Sequence, residues 1–442
     1  MIEHPISPRR FSTSSSLKGK ITIPGDKSIS HRSLMLSALS VGESRVTGLL
    51  EGHDVLATAD AMRAMGAQIT RQDNGEWVIH GVGVGSLLQP QHALEMGNSG
   101  TSTRLLMGLV ATHPIHVTFT GDASLSSRPM GRVMDPLAQM GTEFSASPGG
   151  RLPLMVRGIA PAVPLSYRLP MASAQVKSAI LLAGLNTPGI TEIIEPIPTR
   201  DHSERMLRGF GADLTVDLDS DGSRIIRLRG EAELQPQNII VPGDPSSAAF
   251  FIVAALIVPD SDVIITNVGL NETRAGIVTV LRQMGGHIEE LNPREVGGEP
   301  VADLHIKHSI LTGIDVDPAL APSMIDEFPV LFIAAAMAQG TTNTTGLDEL
   351  RVKESDRIAV MATGLAAIGV TVRESEDGLS IDGSGGELLA GGGTIAGHLD
   401  HRICMSFAIA GLVSRQAVTI DDMTPVGTSF PNFEILLSGL QQ

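Results

Sequence analysis

Six times along this chain a short run of small and polar residues leads straight into a helix-length stretch that is apolar on nearly every side. The six are SISHRSLMLSAL at 28–39, NSGTSTRLLMGLV at 98–110, SAQVKSAILLAGL at 173–185, DPSSAAFFIVAALI at 244–257, SMIDEFPVLFIAAAMA at 323–338 and DHRICMSFAIAGLV at 400–413. A helix that is apolar all round belongs in the middle of a core. A second marker recurs in phase with the first, a hydrophobic residue and a glycine followed by a strand-like run: AMGAQI at Gly66, QMGTEF at Gly141, GFGADL at Gly211, QMGGHI at Gly285, AIGVTV at Gly369 and, more weakly, LSGLQQ at Gly439. Glycine at C′ closes a helix, and a β-rich run then begins. Repeats of this length, about 70 to 80 residues, exceed the usual solenoid period.

Runs such as RVTGLL, HVTFTG, VIITNVG and AVTIDDM, rich in β-branched residues, read as strands between the markers. Each repeat is therefore a mixed βα unit with one buried and one amphipathic helix. Three units can bury three such helices against one another, so six units make two pseudo-threefold α/β domains. ITIPGDKSIS near the N-terminus is echoed by IIVPGDPSS at 239–247, and this parallel puts a crossing between domains near 238–242. The expected division is 24–237 for one domain of three repeats, and 1–23 plus 238–442 for the other. If the buried helices of the domains begin on one side, their polar starts form a single site.

The stretch 24–39 shows what that site takes. Lys27, Ser28 and Arg32 stand at a helix start, where free backbone NH groups and the positive end of the helix dipole attract an anion. The other starts and nearby loops add Asn98, Gly100, Thr101, Ser173, Gln175, Asp326, Glu327, Asp400, His401 and Arg402. Two charged loops, GDASLSSRPMGR with Arg128 and Arg132, and LRVKESDR with Arg351, Lys353, Glu354 and Arg357, complete the set. A loop of alternating charge is ordinarily a solvated turn; six coordinated repeats argue otherwise here. His31 and His401 read as hydrogen-bonded structural residues rather than as catalysts.

A formal net charge of −16 disfavours nucleic acid or an acidic membrane as partner, and 3% aromatic residues leave few stacking platforms for bases. No run is long enough to span a bilayer, and the first twenty residues read as a frayed N-terminus rather than a targeting segment. The lone Cys404 excludes an internal disulfide, fits a reducing cytoplasm and reads as a small buried hydrophobe. Neither a zinc or calcium ligand spacing nor a Walker A sequence is present. The expected localisation is cytoplasmic, and no cofactor is expected.

Taken together, PGDKSISHR, GNSGTSTR, GDASLSSRPMGR, PMASAQVKSAILLAGL, TRDHSERML, DEFPVL, LRVKESDR, DHR and SFPNF resemble the 5-enolpyruvylshikimate-3-phosphate synthase family over about 19–433, and most of all its class II bacterial branch. The resemblance implies two domains, each of three βαβαββ units, joined by a double crossover with the active site in the interdomain cleft. It implies transfer of the enolpyruvyl group of phosphoenolpyruvate to the 5-hydroxyl of shikimate 3-phosphate, by addition and elimination, in a monomer that needs no metal or organic cofactor. Shikimate 3-phosphate would contact Lys27, Ser28, Arg32, Ser173, Ala174, Gln175, Arg200, Asp326 and Lys353. Phosphoenolpyruvate would lie against Lys27, Gly100, Arg128, Gln175, Arg357 and Arg402. Asp326, Glu354 and Lys27 would move the protons.

The chain departs from the class I pattern at four places. Arg200 replaces a tyrosine, Ala174 a second serine and Glu349 an asparagine; a lysine near SFP is missing. The sister family that moves enolpyruvate onto UDP-N-acetylglucosamine normally has a reactive cysteine in the loop matching 121–132, where this chain has none. A silent phosphometabolite-binding protein is disfavoured by Asp326, Lys353 and Glu354, and an RNA-binding relative by the acidic charge.

Overall fold

The computed structural model describes residues 6–441. The six apolar stretches are the helices α1 (Lys27–Ala38), α2 (Gly100–Ala111), α3 (Ala174–Gly184), α4 (Pro245–Ile257), α5 (Phe328–Met337) and α6 (His401–Gly411). Every residue of α4 and α5 is buried. Five of the six are N-capped by the polar residue before them: Asp26, Ser99, Ser173, Asp244 and Asp400 each accept a hydrogen bond from a first-turn NH. In α5 the start is instead set by a proline, Pro329, in its first turn.

Two compact units result. One comprises Gly25–Val241 with Val296–Gly298; the other takes the described residues up to Pro24 together with Pro242–Glu295 and those from Glu299 onward. The core of the first is built around α1, α2 and α3, and that of the second around α4, α5 and α6. Small residues let the central helices touch: a Cβ on Gly108 of α2 would stand 2.2 Å from the carbonyl oxygen of Ala179 in α3.

The repeat is βαβαββ. In the third, Ser166–Arg168 runs parallel to Ile190–Glu195, which pairs antiparallel with Arg224–Arg229, itself antiparallel to Leu214–Leu218. Leu94–Glu95, His116–Thr120, Arg151–Arg157 and Glu143–Ser147 repeat the pattern. The amphipathic helices between them end at Gly66, Gly141, Gly211, Gly285 and Gly369, all with φ between 87° and 107°, the left-handed region glycine enters without a Cβ penalty. Gly439 departs from this, since it lies inside the helix Phe433–Leu440 and closes nothing.

The strands before α1 and α4 are exchanged. Lys18–Thr22 leads into α1 but pairs parallel with Asp262–Gly269, the strand after α4. Asn238–Ile240 leads into α4 but pairs parallel with Val41–Thr47, the strand after α1. This pairing keeps 238–241 with the first unit, where the sequence puts the boundary at 237. The N-terminal segment is not frayed over its described part: Arg9–Phe11 pairs antiparallel with Val418–Ile420 and supplies a strand to the sixth repeat. Residues 1–5, the beginning of the expected 1–23 segment, lie outside the described residues, as does 442. Among the described residues no helix is long and apolar enough to cross a membrane.

Candidate active site

In the first unit the starts of α1, α2 and α3 are tied together by side chains. Arg32, buried in the second turn of α1, donates from Nε to Ser203 Oγ and from Nη2 to Ser178 Oγ, both at 2.7 Å, and from Nη1 to the carbonyl of Ser28 at 2.9 Å. The hydroxyls of Ser178 and Ser203 lie 2.7 Å from each other. The guanidinium thus leans on α3 and on the helix His202–Gly209. Lys27, in the first turn of α1, pairs with the buried carboxylate of Asp54.

Gln175 bridges α3 and α2: its Oε1 accepts from Arg104 Nη1 at 3.0 Å, and its Nε2 donates to Thr101 Oγ1 at 3.1 Å. Arg128 donates from Nη2 to Asn98 Oδ1 at 2.7 Å and to Ser124 Oγ at 3.1 Å. Gly100 sits under both arginines, since a Cβ there would stand 2.8 Å from Arg104 Nη1 and 3.2 Å from Arg128 Nη1. Ser173 caps α3, Ala174 is its first residue, and Arg200 precedes the helix His202–Gly209 by two positions. His31 lies behind this surface, with Nδ1 2.7 Å from Thr58 Oγ1 and 3.3 Å from Ser102 Oγ. Burial first, then the charges of Lys27 and Arg32, hold its pKa well below the ordinary histidine value, so the ring is neutral at pH 7.

The second unit gathers its candidates around one guanidinium. Arg357 is 1% exposed. It donates from Nε to Asp400 Oδ2 at 2.8 Å, from Nη2 to Glu354 Oε2 at 2.6 Å and from Nη1 to Asp326 Oδ1 at 3.2 Å. Burial alone would lower its pKa; the carboxylates of Asp400, Glu354 and Asp326 overcome burial and raise it. Lys353 Nζ lies 3.6 Å from Asp326 Oδ1 and 3.8 Å from Glu349 Oε1. Arg402, in the first turn of α6, donates to the carbonyl of Asp326 at 3.0 Å and lies 3.6 Å from the buried Glu327. Glu327 accepts in turn from Ser246 at the start of α4. The starts of α4, α5 and α6 therefore share one end of their unit, as those of α1, α2 and α3 do in theirs.

The two sets differ in balance. Cations dominate the first, whereas in the second each named cation faces at least one carboxylate.

The family profile described as EPSP synthase (3-phosphoshikimate 1-carboxyvinyltransferase) matches residues 11–437. The chain belongs to the EPSP synthase family. A 3-phosphoshikimate 1-carboxyvinyltransferase of Sphingopyxis alaskensis is 77% identical over 100% of both chains. One of Novosphingobium aromaticivorans is 72% identical over 97% of this chain and 98% of its own. A solved structure of EPSP synthase from Acinetobacter baumannii superposes with a TM-score of 0.87 at 49% identity, covering 98% of each chain. The fold is that of the enolpyruvyl transferases, two sets of three βαβαββ repeats around buried helices.

Two side chains of the arrangement described above, Asp54 and Arg104, are absent from the candidates read from sequence. Asp54, the partner of Lys27, lies in a helix whose pattern gives no signal. Arg104 is visible only as the last residue of GNSGTSTR. Outside that arrangement, Lys177 has the plainest signal, a single buried charge inside the apolar run VKSAILLAG. Cys404 is buried; burial first, then the carboxylates of Asp400, Asp421 and Asp422, push its thiol pKa far up, leaving no thiolate for nucleophilic chemistry. Among the described residues, no group of three or more His, Cys, Asp or Glu is placed to hold a metal ion.

Proposed function

We propose that Lys27, Ser28, Arg32, Ser173, Ala174, Gln175 and Arg200 of the first unit hold shikimate 3-phosphate, with Asp326 and Lys353 of the second unit serving its hydroxyl side. Gly100, Arg128, Gln175 and Lys27, with Arg357 and Arg402, take phosphoenolpyruvate. The chain transfers the enolpyruvyl group of phosphoenolpyruvate to the 5-hydroxyl of shikimate 3-phosphate and releases phosphate, a step of aromatic amino acid biosynthesis. It works as a cytoplasmic monomer.

The observation that carries the residue assignments is the convergence of Asp326 and Glu354 on Arg357. Addition requires the 5-hydroxyl to lose a proton as its oxygen bonds to C2 of phosphoenolpyruvate, while C3 gains one. Elimination returns the electrons: the methyl loses a proton, the C2–O bond to phosphate breaks, and the enol ether forms. Asp326, beside Lys353, is the base at the hydroxyl. Glu354 is the group at C3, giving a proton and later taking one. An incoming phosphoenolpyruvate competes with Glu354 for Arg357, and a carboxylate displaced from a guanidinium is ready to accept the proton it must deliver. Lys27 is the alternative donor. Arginine provides two parallel donors to a carboxylate or phosphate, which lysine does not, and this favours Arg128, Arg357 and Arg402 for the smaller anion.

Phosphate release is the assay. It should require phosphoenolpyruvate and shikimate 3-phosphate together and persist in EDTA. Release with UDP-N-acetylglucosamine as acceptor, or with no acceptor, would refute the assignment.

Gly100→Ala tests the phosphoenolpyruvate pocket. The new methyl would press on the tips of Arg104 and Arg128, which are flexible, so the fold should survive and ligand affinity should change. Overpacking of about 1 to 3 kcal/mol corresponds to roughly tenfold to hundredfold in affinity. Glyphosate, an anion slightly longer than the substrate, should lose that much while the KM for phosphoenolpyruvate rises less. Equal loss for both ligands would remove Gly100 as the discriminating contact.

A further inference from the structure

Lys177 is the sole charged residue of α3, and its side chain is 0% exposed. Its Nζ lies 2.8 Å from Glu195 Oε1 at the end of the strand Ile190–Glu195 and 2.8 Å from Glu204 Oε1 in the first turn of the helix His202–Gly209. The remaining carboxylate oxygens, Oε2 of Glu195 and Oε2 of Glu204, are buried without a hydrogen-bond partner. A buried ionic cluster of this kind adds little stability over well-packed apolar side chains, because desolvation offsets the attraction. Its geometric effect is larger. Glu195 Oε1 also accepts from the NH of Thr199 at 3.1 Å, and Lys177 Nζ donates to the Thr199 carbonyl at 3.5 Å. Helix α3, the turn 196–201 and the following helix are thereby pinned to one ammonium.

Each pinned point is one residue away from the anion site. Ser178 follows Lys177, Ser203 precedes Glu204, and Arg200 follows Thr199. Ser178 and Ser203 are the hydroxyls that Arg32 donates to. We propose that Lys177, Glu195 and Glu204 form a positioning cluster for shikimate 3-phosphate: they hold the Ser178 and Ser203 hydroxyls where they aim the Arg32 guanidinium, and they set the backbone from which Arg200 projects. This rests on the reading that Arg32 and Arg200 contact that substrate. An aimed charge in a preformed site spares the ligand the cost of ordering it, so loosening the cluster weakens binding of the acceptor rather than the chemistry.

The test is calorimetric titration of shikimate 3-phosphate into wild type, Lys177→Met and Glu204→Gln, followed by steady-state kinetics. Both variants should bind shikimate 3-phosphate about tenfold more weakly or worse, with KM for phosphoenolpyruvate and kcat at saturation each within about threefold of wild type. A cluster that only supports the fold would change the melting temperature without this split. If Lys177→Met gives no folded protein, Glu204→Gln, which leaves Lys177 paired with Glu195, decides alone. Variants that bind shikimate 3-phosphate as wild type does overturn the positioning role. A wild type that does not bind it overturns the site reading itself, and the proposal with it.

Discussion

Asp326→Asn and Glu354→Gln are each expected to lower turnover by about two to four orders of magnitude while substrate binding survives better than turnover. Both replacements keep the size of the side chain and a hydrogen-bond acceptor for Arg357, so the guanidinium loses charge compensation but keeps contacts at Nη1 and Nη2. What disappears is the capacity to take a proton and, at Glu354, to give one back. The two variants should differ in which half-reaction fails. Asp326→Asn blocks removal of the hydroxyl proton, and Glu354→Gln blocks delivery to the methylene and recovery from the methyl. Steady-state kcat with both substrates saturating is the measurement. Near-normal turnover in either variant removes that residue from the mechanism and leaves Lys27, paired with Asp54, as the candidate for its step.

Arg357→Met should be the most damaging single change to the fold of its unit. Asp400 is fully buried and Asp326 and Glu354 are mostly so, and Arg357 donates to all three. Removing the guanidinium leaves the fully buried Asp400 carboxylate without the cation it faces, at a cost of about 3 to 5 kcal/mol. The methionine fills most of the volume, so lost packing contributes little to that figure. Asp400 also caps α6 by accepting from the NH of Arg402. Repulsion among the three carboxylates, no longer offset by the guanidinium, would therefore loosen the helix start that carries Arg402. Urea unfolding of wild type and variant measures the loss. A difference below about 1 kcal/mol, the range of an exposed ion pair, would show that the cluster is solvated and that Arg357 is not its organising charge.

The local signals were legible in the sequence, and of the nonlocal ones it offered only the crossing between domains near 238–242, not the strand pairing behind it. An apolar stretch with a polar start is a self-contained statement about one helix, and capping by Asp26, Ser99, Ser173, Asp244 and Asp400 follows from side chains a few residues from the NH groups they satisfy. The same holds for five of the six glycine helix ends; at Gly439 the pattern lacked a following strand, and the helix runs through it. The exchange of Lys18–Thr22 and Asn238–Ile240 is different in kind. Both strands precede a Pro-Gly-Asp start and look alike locally; their partners lie some two hundred residues away, and ladder pairing leaves no mark at that range. The strand Arg9–Phe11 escaped for the same reason, because its partner Val418–Ile420 closes the opposite end of the chain.

The site divides along similar lines. Cations at helix starts were visible because their position alone gives them a function. Their partners were visible in part: Asp326, Glu354 and Asp400 stand among the candidates read from the sequence, which does not show that all three converge on a buried Arg357, and the helix carrying Asp54 gives no pattern to mark it. Lys177 was visible as an anomaly, one charge in an apolar helix, but the carboxylates that explain it come from a strand end and a different helix.

Enolpyruvate is expected to leave phosphate by cleavage of the carbon–oxygen bond, through an adduct in which the 5-hydroxyl has already been joined to C2. Phosphoenolpyruvate labelled with oxygen-18 in the bridge between C2 and phosphorus tests it in one experiment. With shikimate 3-phosphate and EDTA present, the label should appear in the released inorganic phosphate, matched one to one by unlabelled enol ether in the product. Label retained in the organic product would mean that the phosphorus–oxygen bond breaks, as in phosphoryl transfer, and would rule out addition and elimination at C2.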